Sequence, residues 1–437
     1  MTSLITAATV HLGFTLSSHR AYCKVNTKTT GSTVSTRLAG SVHATEHVCI
    51  DAPPLPAPDN RIVTVSSVKQ LNRAVLELRK DTTILIEPGR YELTETIEIT
   101  TDNVTIRGAA DNCSEVELIG PGMDNEQRNG LDHAIFIEAK NTTIAYLTAG
   151  EVYFHTIQIN KAAVAPRIYN VRLFNSGQQF IKANPEKFGV GVDNGIVEFS
   201  VMEYTDGPSA IDRDGSGTGY TNGVDVHAGA NWRISNNLFR NFHTPDNADH
   251  LWNAAVLMFN GARDTITENN VFINVDRAIA YGISDRDNDH SGGIIRNNMI
   301  AMEPNLYSEQ RSSVADAPII VWDSPDTKVL HNTIINSGNV PLSVELRFDS
   351  TNVEVANNIA DAPISHRNNR QFVAKNNVLS AKPNWFLEPA AGNLRLRPEY
   401  RETMNQVRRH KDAVYDVDRQ KRPANKVVLG ADQYNAI

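Results

Sequence analysis

The chain has 437 residues, 41% of them hydrophobic, with three cysteines and a formal net charge of −8. That apolar content supports a folded core, in two or three ordinary domains or in one long solenoid. The acidic balance argues against a nucleic-acid binder, which presents a basic face, and no run approaches the roughly 18 consecutive apolar residues of a membrane span.

The first 60 residues stand apart from the rest. MTSLITAATVHLGFTLSS has the apolar character of an export-signal core, but no basic residues precede it and His11 interrupts it. An atypical export signal and a disordered leader both remain open. Residues 24–60, rich in Ser, Thr and Pro, read as a linker. Cys23, Cys49 and Cys113 allow at most one internal disulfide and form no CxxC metal pair. A Cys49–Cys113 bridge and free thiols are equally compatible with the sequence.

The folded part begins near Val63. In VSSVKQLNRAVLELRK, Ser67 is followed three residues later by Gln70, a capping-box spacing. Val68, Leu71, Val75 and Leu78 then recur at helical intervals. This predicts a short amphipathic helix that seals one end of a stack. TTILIEPGRYEL, ETIEITTDNVTIRG and VELIG follow as short β-runs broken by turn residues, and NTTIAYLTA, PRIYNVRLFNS and NGIVEFSVMEY continue the cadence. From Asn231 to Asn377 one phrase returns six times: NWRISNNLFRN, DTITENNVFIN, SGGIIRNNMIA, DTKVLHNTIIN, STNVEVANNIAD and QFVAKNNVLS. The first Asn of each phrase is residue 236, 269, 297, 332, 357 and 376, so the steps are 33, 28, 35, 25 and 19. Self-similarity at this period indicates stacked coils, and an Asn at the same corner of successive coils can form an amide ladder. A β-sandwich, the alternative weighed, has no reason to repeat Asn-Asn at strand corners.

ILIEPGRYELTETIEITTDNVTIRG is similar to the opening coils of right-handed parallel β-helix proteins of the pectate-lyase-like superfamily. FLEPAAGNLRLRP…YDVDRQKRPANKVVLGADQY resembles the closing segment of many secreted members. It departs from them where Arg419-Gln420-Lys421 replaces the usual Gly, and RETMNQVRRHK is an unusual insertion. The resemblance covers roughly residues 61–437. It implies an all-β fold, a right-handed parallel β-helix (61–385) with a short N-terminal capping helix and a C-terminal closing segment (386–437) packed on it. It also implies a carbohydrate, often an acidic polysaccharide, bound in a groove along one face. Because the superfamily holds lyases, hydrolases, epimerases and non-enzymatic binders, the resemblance is specific for fold rather than reaction.

On a solenoid, outward side chains of adjacent coils stack in columns about 4.8 Å apart, so polar residues on strands are informative. They concentrate between Tyr153 and His227: His155, Gln158, Gln178, Gln179, Lys182, Asp193, Asn194, Glu203, Tyr204, Tyr220, Asn222, Asp225 and His227. Asp225 and His227 are two apart and share one strand face; with Val224 and Val226 inward, that face is the outer, solvent-facing one. Uronate cleavage by β-elimination needs a carboxylate neutraliser, a base for the C5 proton and an acid for the leaving oxygen. Lys182 or His227 suits the base, with a lowered Lys182 pKa, and Tyr204 or Tyr220 the acid. Gln179, Asn222 and Arg263 suit the carboxylate, with His155, Gln158, Asp193 and Arg347 as further substrate contacts. Glycoside hydrolysis needs two carboxylates, for which Asp193, Glu203 and Asp225 are available. The catalytic candidates are therefore Lys182, His227, Asp225, Tyr220 and Glu203.

Asp212 and Asp214 form a D-x-D-G turn, and Asp285, Asp287 and Asp289 a D-x-D-x-D run resembling the start of a calcium loop without its closing Glu. A solvated acidic turn is the competing reading; a bound Ca²⁺ would bridge substrate carboxylates to an acidic protein. Glu345 and Arg347 read as an exposed pair, and Trp232, Trp252 and Trp322 as packing or sugar-stacking rings. HTPDNADHLWN reads as one wall of the groove. The favoured function is a secreted or periplasmic, monomeric polysaccharide lyase acting on an acidic glycan. A β-helix hydrolase or epimerase and a non-catalytic glycan-binding protein are the alternatives.

Overall fold

In NWRISNNLFRN, Arg233–Ser235 and Leu238–Arg240 are strands, and Asn236 with Asn237 makes the corner between them. The computed structural model describes residues 49–434, so the leader or export signal and Cys23 lie outside it. The first Asn of each pair takes a left-handed backbone, with φ +59° at Asn236, +57° at Asn269, +55° at Asn297, +61° at Asn357 and +53° at Asn376. Asn tolerates that region better than most side chains. In the HN phrase His331 occupies this position at φ +53°, so Asn332 aligns with the second Asn of the other pairs, not the first.

That second Asn builds the ladder. Asn237 Nδ2 donates to Asn270 Oδ1 at 3.0 Å, Asn270 to Asn298 at 3.0 Å, Asn298 to Asn332 at 2.9 Å, Asn332 to Asn358 at 3.0 Å and Asn358 to Asn377 at 2.9 Å. The other hydrogen of each amide reaches a carbonyl of the preceding strands, as from Asn298 to Thr267 at 3.0 Å. Each Oδ1 also accepts a backbone N–H of the neighbouring coil, as from Asn270 to Asn298 at 3.0 Å. All but the last of these corners are buried, and every amide is spent on satisfying them.

Repetition of the unit gives three parallel sheets of 12, 10 and 10 strands among the described residues. Each coil visits them in one order: Arg167–Tyr169 lies in the first sheet, Arg172–Ser176 in the second and Ile181–Ala183 in the third. The result is a right-handed parallel β-helix. Alternate residues point inward and stack in columns; Ile135, Ile157, Ile181, Val224, Val256 and Ile279 form one of them, fully buried. Every strand thus covers its neighbours' apolar faces.

The N-terminal end is closed as the capping signature predicts. Val68–Leu76 is helical, the Ser67 side chain accepts from the Gln70 N–H, and Leu71 and Ala74 are buried against the first coils. Gln70 Oε1 returns the bond to the Ser66 N–H at 2.7 Å rather than to Ser67. Residues 49–60, linker-like in composition, are fastened along the corners between the first and second sheets: Asn170 donates to the Ile50 carbonyl at 2.6 Å, Leu55 N–H to Tyr146 Oη at 2.6 Å, and Cys49 is disulfide-bonded to Cys113. Beyond the coils, Phe386, Leu394, Leu396, Val417 and Val428 cover an apolar outer face of the second sheet formed by Leu238, Val271, Ile273 and Met299. No helix among the described residues is long and apolar enough to cross a membrane.

The ladder makes a graded prediction. Asn298→Ala, in its middle, strands a buried N–H and amide of Asn270 and should lower stability by at least about 3 kcal/mol in urea unfolding. Asn377→Ala, at the half-buried end where water substitutes, should cost about 1 kcal/mol.

Candidate active site on the third sheet

Parallel register places Gln158, Lys182, Asp225 and Leu257 in one outward column of the third sheet. Val224 and Val226 point into the core, so Asp225 and His227 share the outer face, as their spacing predicts. That face is not open to solvent, a correction to the expectation from sequence: Asp225 is 0% and Lys182 8% exposed. The long connection between Val201–Glu203 and Val224–His227 folds over them. Its anchor is Arg213, fully buried, donating to the Met123 carbonyl at 2.6 Å and Asp124 Oδ1 at 2.8 Å. The connection delivers Tyr220, whose ring centroid lies 6.0 Å from Lys182 Nζ and 5.2 Å from the ring of His250 in segment 243–253.

The centre is a three-residue charge cluster. Lys182 Nζ donates to Asp225 Oδ2 at 2.5 Å and lies 2.8 Å from His227 Nε2; Asp225 Oδ1 is 3.4 Å from the same nitrogen. Burial by itself would raise the Asp225 carboxyl, but Lys182 and His227 outweigh it and hold it down at about 2. Burial likewise pulls the Lys182 ammonium down, yet Asp225 and Tyr220 outweigh it and the net shift is upward. The lowered Lys182 pKa expected from sequence is therefore reversed, because the neighbour that decides it is an anion. The Lys182 ammonium thus faces His227 Nε2 directly. Burial raises the Tyr220 phenol and keeps it protonated.

Gln179 and Asn222 flank the cluster in the coils of Lys182 and Asp225, with Gln179 Nε2 donating to Asn222 Oδ1 at 3.3 Å and Asn222 to the Ala254 carbonyl at 2.7 Å. His155 lies one coil away, stacked on His133 at 5.2 Å and held neutral mainly by burial. Gln158, one rung from Lys182, donates to Asn160 of its own coil at 3.3 Å. Asp193 sits at the rim, accepting from the Ala230 N–H at 2.8 Å, and exposed Arg263 donates to the Gly189 carbonyl at 3.1 Å.

Other candidates are placed elsewhere. Glu203 is on the second sheet, where Arg172 at 2.7 Å and Arg240 bind its carboxylate. Tyr204 is in the core, its hydroxyl donating to the Ser176 carbonyl at 2.7 Å. Arg347 is on the third sheet, but its strand is four rungs from Asp225, about 19 Å at the strand spacing. Its partner Glu345 is fully buried and also binds Arg367 at 2.8 Å, so the pair is not the exposed one expected. Trp322 lies beneath Arg347, whose guanidinium is 3.6 Å from the ring centroid, while Trp232 is core and donates to the Val192 carbonyl at 2.6 Å.

The acidic turns are not drawn into metal cages. Asp289 accepts from the N–H groups of Asn260 at 2.8 Å, Ile283 at 2.8 Å and Ser284 at 3.0 Å, and pairs with Arg286. Asp285 and Asp287 point to solvent. Asp212 accepts from the Gly217 N–H at 2.7 Å. Among the described residues no group of three or more His, Cys, Asp or Glu side chains is arranged to hold a metal ion. Asp289 and Asp212 are thus spent on loop backbone.

Two contacts of the cluster escape the sequence. Phe259 packs on His227 at 4.2 Å, and Asn260 Nδ2 lies 3.2 Å from His227 Nδ1 while its Oδ1 accepts from Arg286 at 2.8 Å. The one available signal was register, since Phe259 lies beside His227 on the next rung.

No protein-family model and no curated protein matches the chain. Among solved structures, pectate lyase Pel9A is similar at 12% identity, the match covering 86% of this chain and 97% of that one with a TM-score of 0.59. The alginate lyase from Paenibacillus sp. strain FPU-7 is similar at 13% identity over 73% of this chain and 95% of that one, with a TM-score of 0.47. PfbA, a surface adhesin of Streptococcus pneumoniae, is similar at 13% identity over 71% and 86%, with a TM-score of 0.40. At these identities the likeness is one of fold, carried by the first of the three, and it agrees with the β-helix resemblance read from the sequence.

Because Asp225 is buried, Lys182 is not a removable surface residue. Lys182→Ala should destabilise by about 3–5 kcal/mol, and His227→Ala, at the half-buried edge, by about 1 kcal/mol. Native Asp225 sits below its ordinary 3.8, so its contribution is present above that pH and is lost as pH falls toward about 2. Without Lys182, burial raises the carboxyl instead, the folded state binds the proton more tightly, and the variant's deficit should shrink on acidification. Unfolding midpoints of both proteins between acidic and neutral pH check the sign.

Proposed function

We propose that the chain is a carbohydrate-active β-helix enzyme that cleaves a uronate-containing polysaccharide by β-elimination in the groove over the third sheet. Lys182, with the amides of Gln179 and Asn222, takes the uronate carboxylate and stabilises the negative charge that develops on it. Drawn toward that carboxylate, Lys182 releases the Nε2 lone pair of His227, which accepts the C5 proton. The C5–H electrons form the C4–C5 double bond, the C4–O bond breaks, and the leaving oxygen takes the Tyr220 hydroxyl proton. Asp225 keeps Lys182 charged and in place without itself transferring a proton.

The observation that carries this reading is the composition of the cluster. One ammonium, one imidazole, one phenol and two amides surround a single carboxylate that is buried and held at about 2. Glycoside hydrolysis needs a protonated carboxyl and a second carboxylate. Asp225 is too acidic for the first role, and among the described residues no other carboxylate bonds to Lys182 or His227. Similarity in fold to a pectate lyase supports the substrate class. The Cys49–Cys113 disulfide supports a secreted or periplasmic location, since such bonds persist in oxidising compartments.

Incubation with alginate, polygalacturonate, ulvan and glycosaminoglycans should give rising ultraviolet absorbance from an unsaturated uronate with one of them. His227→Gln should lower that rate by about 10²–10⁴-fold while leaving the unfolding midpoint nearly unchanged. New reducing ends without absorbance would transfer the groove to a hydrolase, and binding without new ends to a non-catalytic glycan binder.

A further inference from the structure

A cavity of about 400 Å³ opens over the first sheet beneath the closing segment. Its floor is built by register: Arg233, Glu268 and Arg296 lie on three successive strands. Glu268 binds both guanidinium groups, the Arg296 contact at 2.6 Å, so the floor is polar, internally paired and left with one positive charge in excess. Its rim is different. Lys411, Tyr415 and Arg419 line the cavity from the closing segment and are exposed, Tyr415 at 54%. Among the described residues neither Lys411 nor Arg419 has an ion-pair partner, although the cavity is bordered by carboxylates.

Arg419 is also held in a strained conformation. Its φ is +61°, in the left-handed region where glycine is the strain-free choice, and its guanidinium lies 5.0 Å from the Phe199 ring centroid. The turn is set by Asp416, whose carboxylate accepts the N–H groups of Asp418 at 3.0 Å and Gln420 at 2.6 Å. The turn therefore does not need the Arg419 side chain, and a long cation stands at the rim at a backbone cost glycine would avoid.

We propose that this cavity is a second glycan-binding site for one or two units of an acidic saccharide. A sugar ring stacks on Tyr415, Lys411 and Arg419 take its anionic substituent, and the Arg233–Glu268–Arg296 floor meets its hydroxyls. A cavity of this size lies within the range of small-ligand sites. The site is on a different sheet from the Lys182–Asp225–His227 cluster and does not depend on the chemistry assigned there. It would hold an acidic polymer to an enzyme whose net charge of −8 repels it.

The test is calorimetric titration of the full chain, in a His227→Gln background that blocks turnover, with oligogalacturonates, oligomannuronates and sulfated neutral oligosaccharides. The second variant adds Tyr415→Ala and Arg419→Gly. Glycine relieves the φ strain, and the Tyr415 carbonyl that accepts from Asn297 at 2.8 Å is kept, so the fold should survive with an unchanged unfolding midpoint. The expected result is loss of one binding event, or a drop of at least tenfold in its affinity. The carboxylated and sulfated arms show which anion the rim selects. Unchanged stoichiometry and affinity overturn the proposal, as does inorganic sulfate binding as tightly as any oligosaccharide, or the absence of any binding. Loss of binding in the Tyr415/Arg419 variant of a protein that performs no elimination would leave this site standing while the groove reading falls; elimination with unaltered binding would do the reverse.

Discussion

Hydrogen bonding between amides of successive coils, running along the helix axis, is the constraint on which this structure rests. A short strand followed by a sharp corner exposes backbone groups that nothing else in a buried turn can satisfy. Asn supplies both remedies: its first copy accepts the left-handed backbone of the corner, and its second accepts and donates in the same register on the six coils from Asn237 to Asn377. With the corners fixed, alternation decides the rest, since each strand has one face in the shared core and one face in an outward column. Loops vary widely in length between coils without disturbing either.

Those loops separate the outer face of the third sheet from an ordinary surface. Lys182 and Asp225 lie on adjacent strands, but their chemistry comes from being covered. Coverage desolvates the pair, and the pairing then overrules desolvation, leaving a fully ionised carboxylate and a firmly protonated lysine. A buried charge with one good partner makes that partner indispensable. Lys182 is thus a structural residue, and His227 stands at the cluster's edge.

The molecule is acidic overall, so any acidic polymer must be met by cations placed locally. The third-sheet cluster holds one, Lys182. The closing segment, while burying the apolar face of the second sheet, carries two more without ion-pair partners over the first sheet. Packing of that segment and display of its cations are one event: the turn at Asp416 that seats Val417 in the apolar layer also places Arg419 on the cavity rim.

The repeated Asn pair and the alternating apolar runs made the solenoid legible, because a stack asks the same local question of every coil. The capping helix was legible for a similar reason, its signals all lying within a dozen residues. The shared face of Asp225 and His227 followed from a spacing of two. What sequence could not show was distance between coils and the cover above them. Glu203 and Tyr204 belong to the same polar stretch as Lys182, yet one lies on another sheet and the other in the core. Phe259 and Asn260 reach His227 only through register, and the direction of the Lys182 shift depended on which neighbour was nearest. Local patterns determined the strands, corners and fold, because strand alternation and backbone conformation are short-range. Tertiary structure alone decided which charges meet and how deeply, because loop coverage and coil-to-coil alignment join residues more than forty positions apart, as Lys182 and Asp225 are.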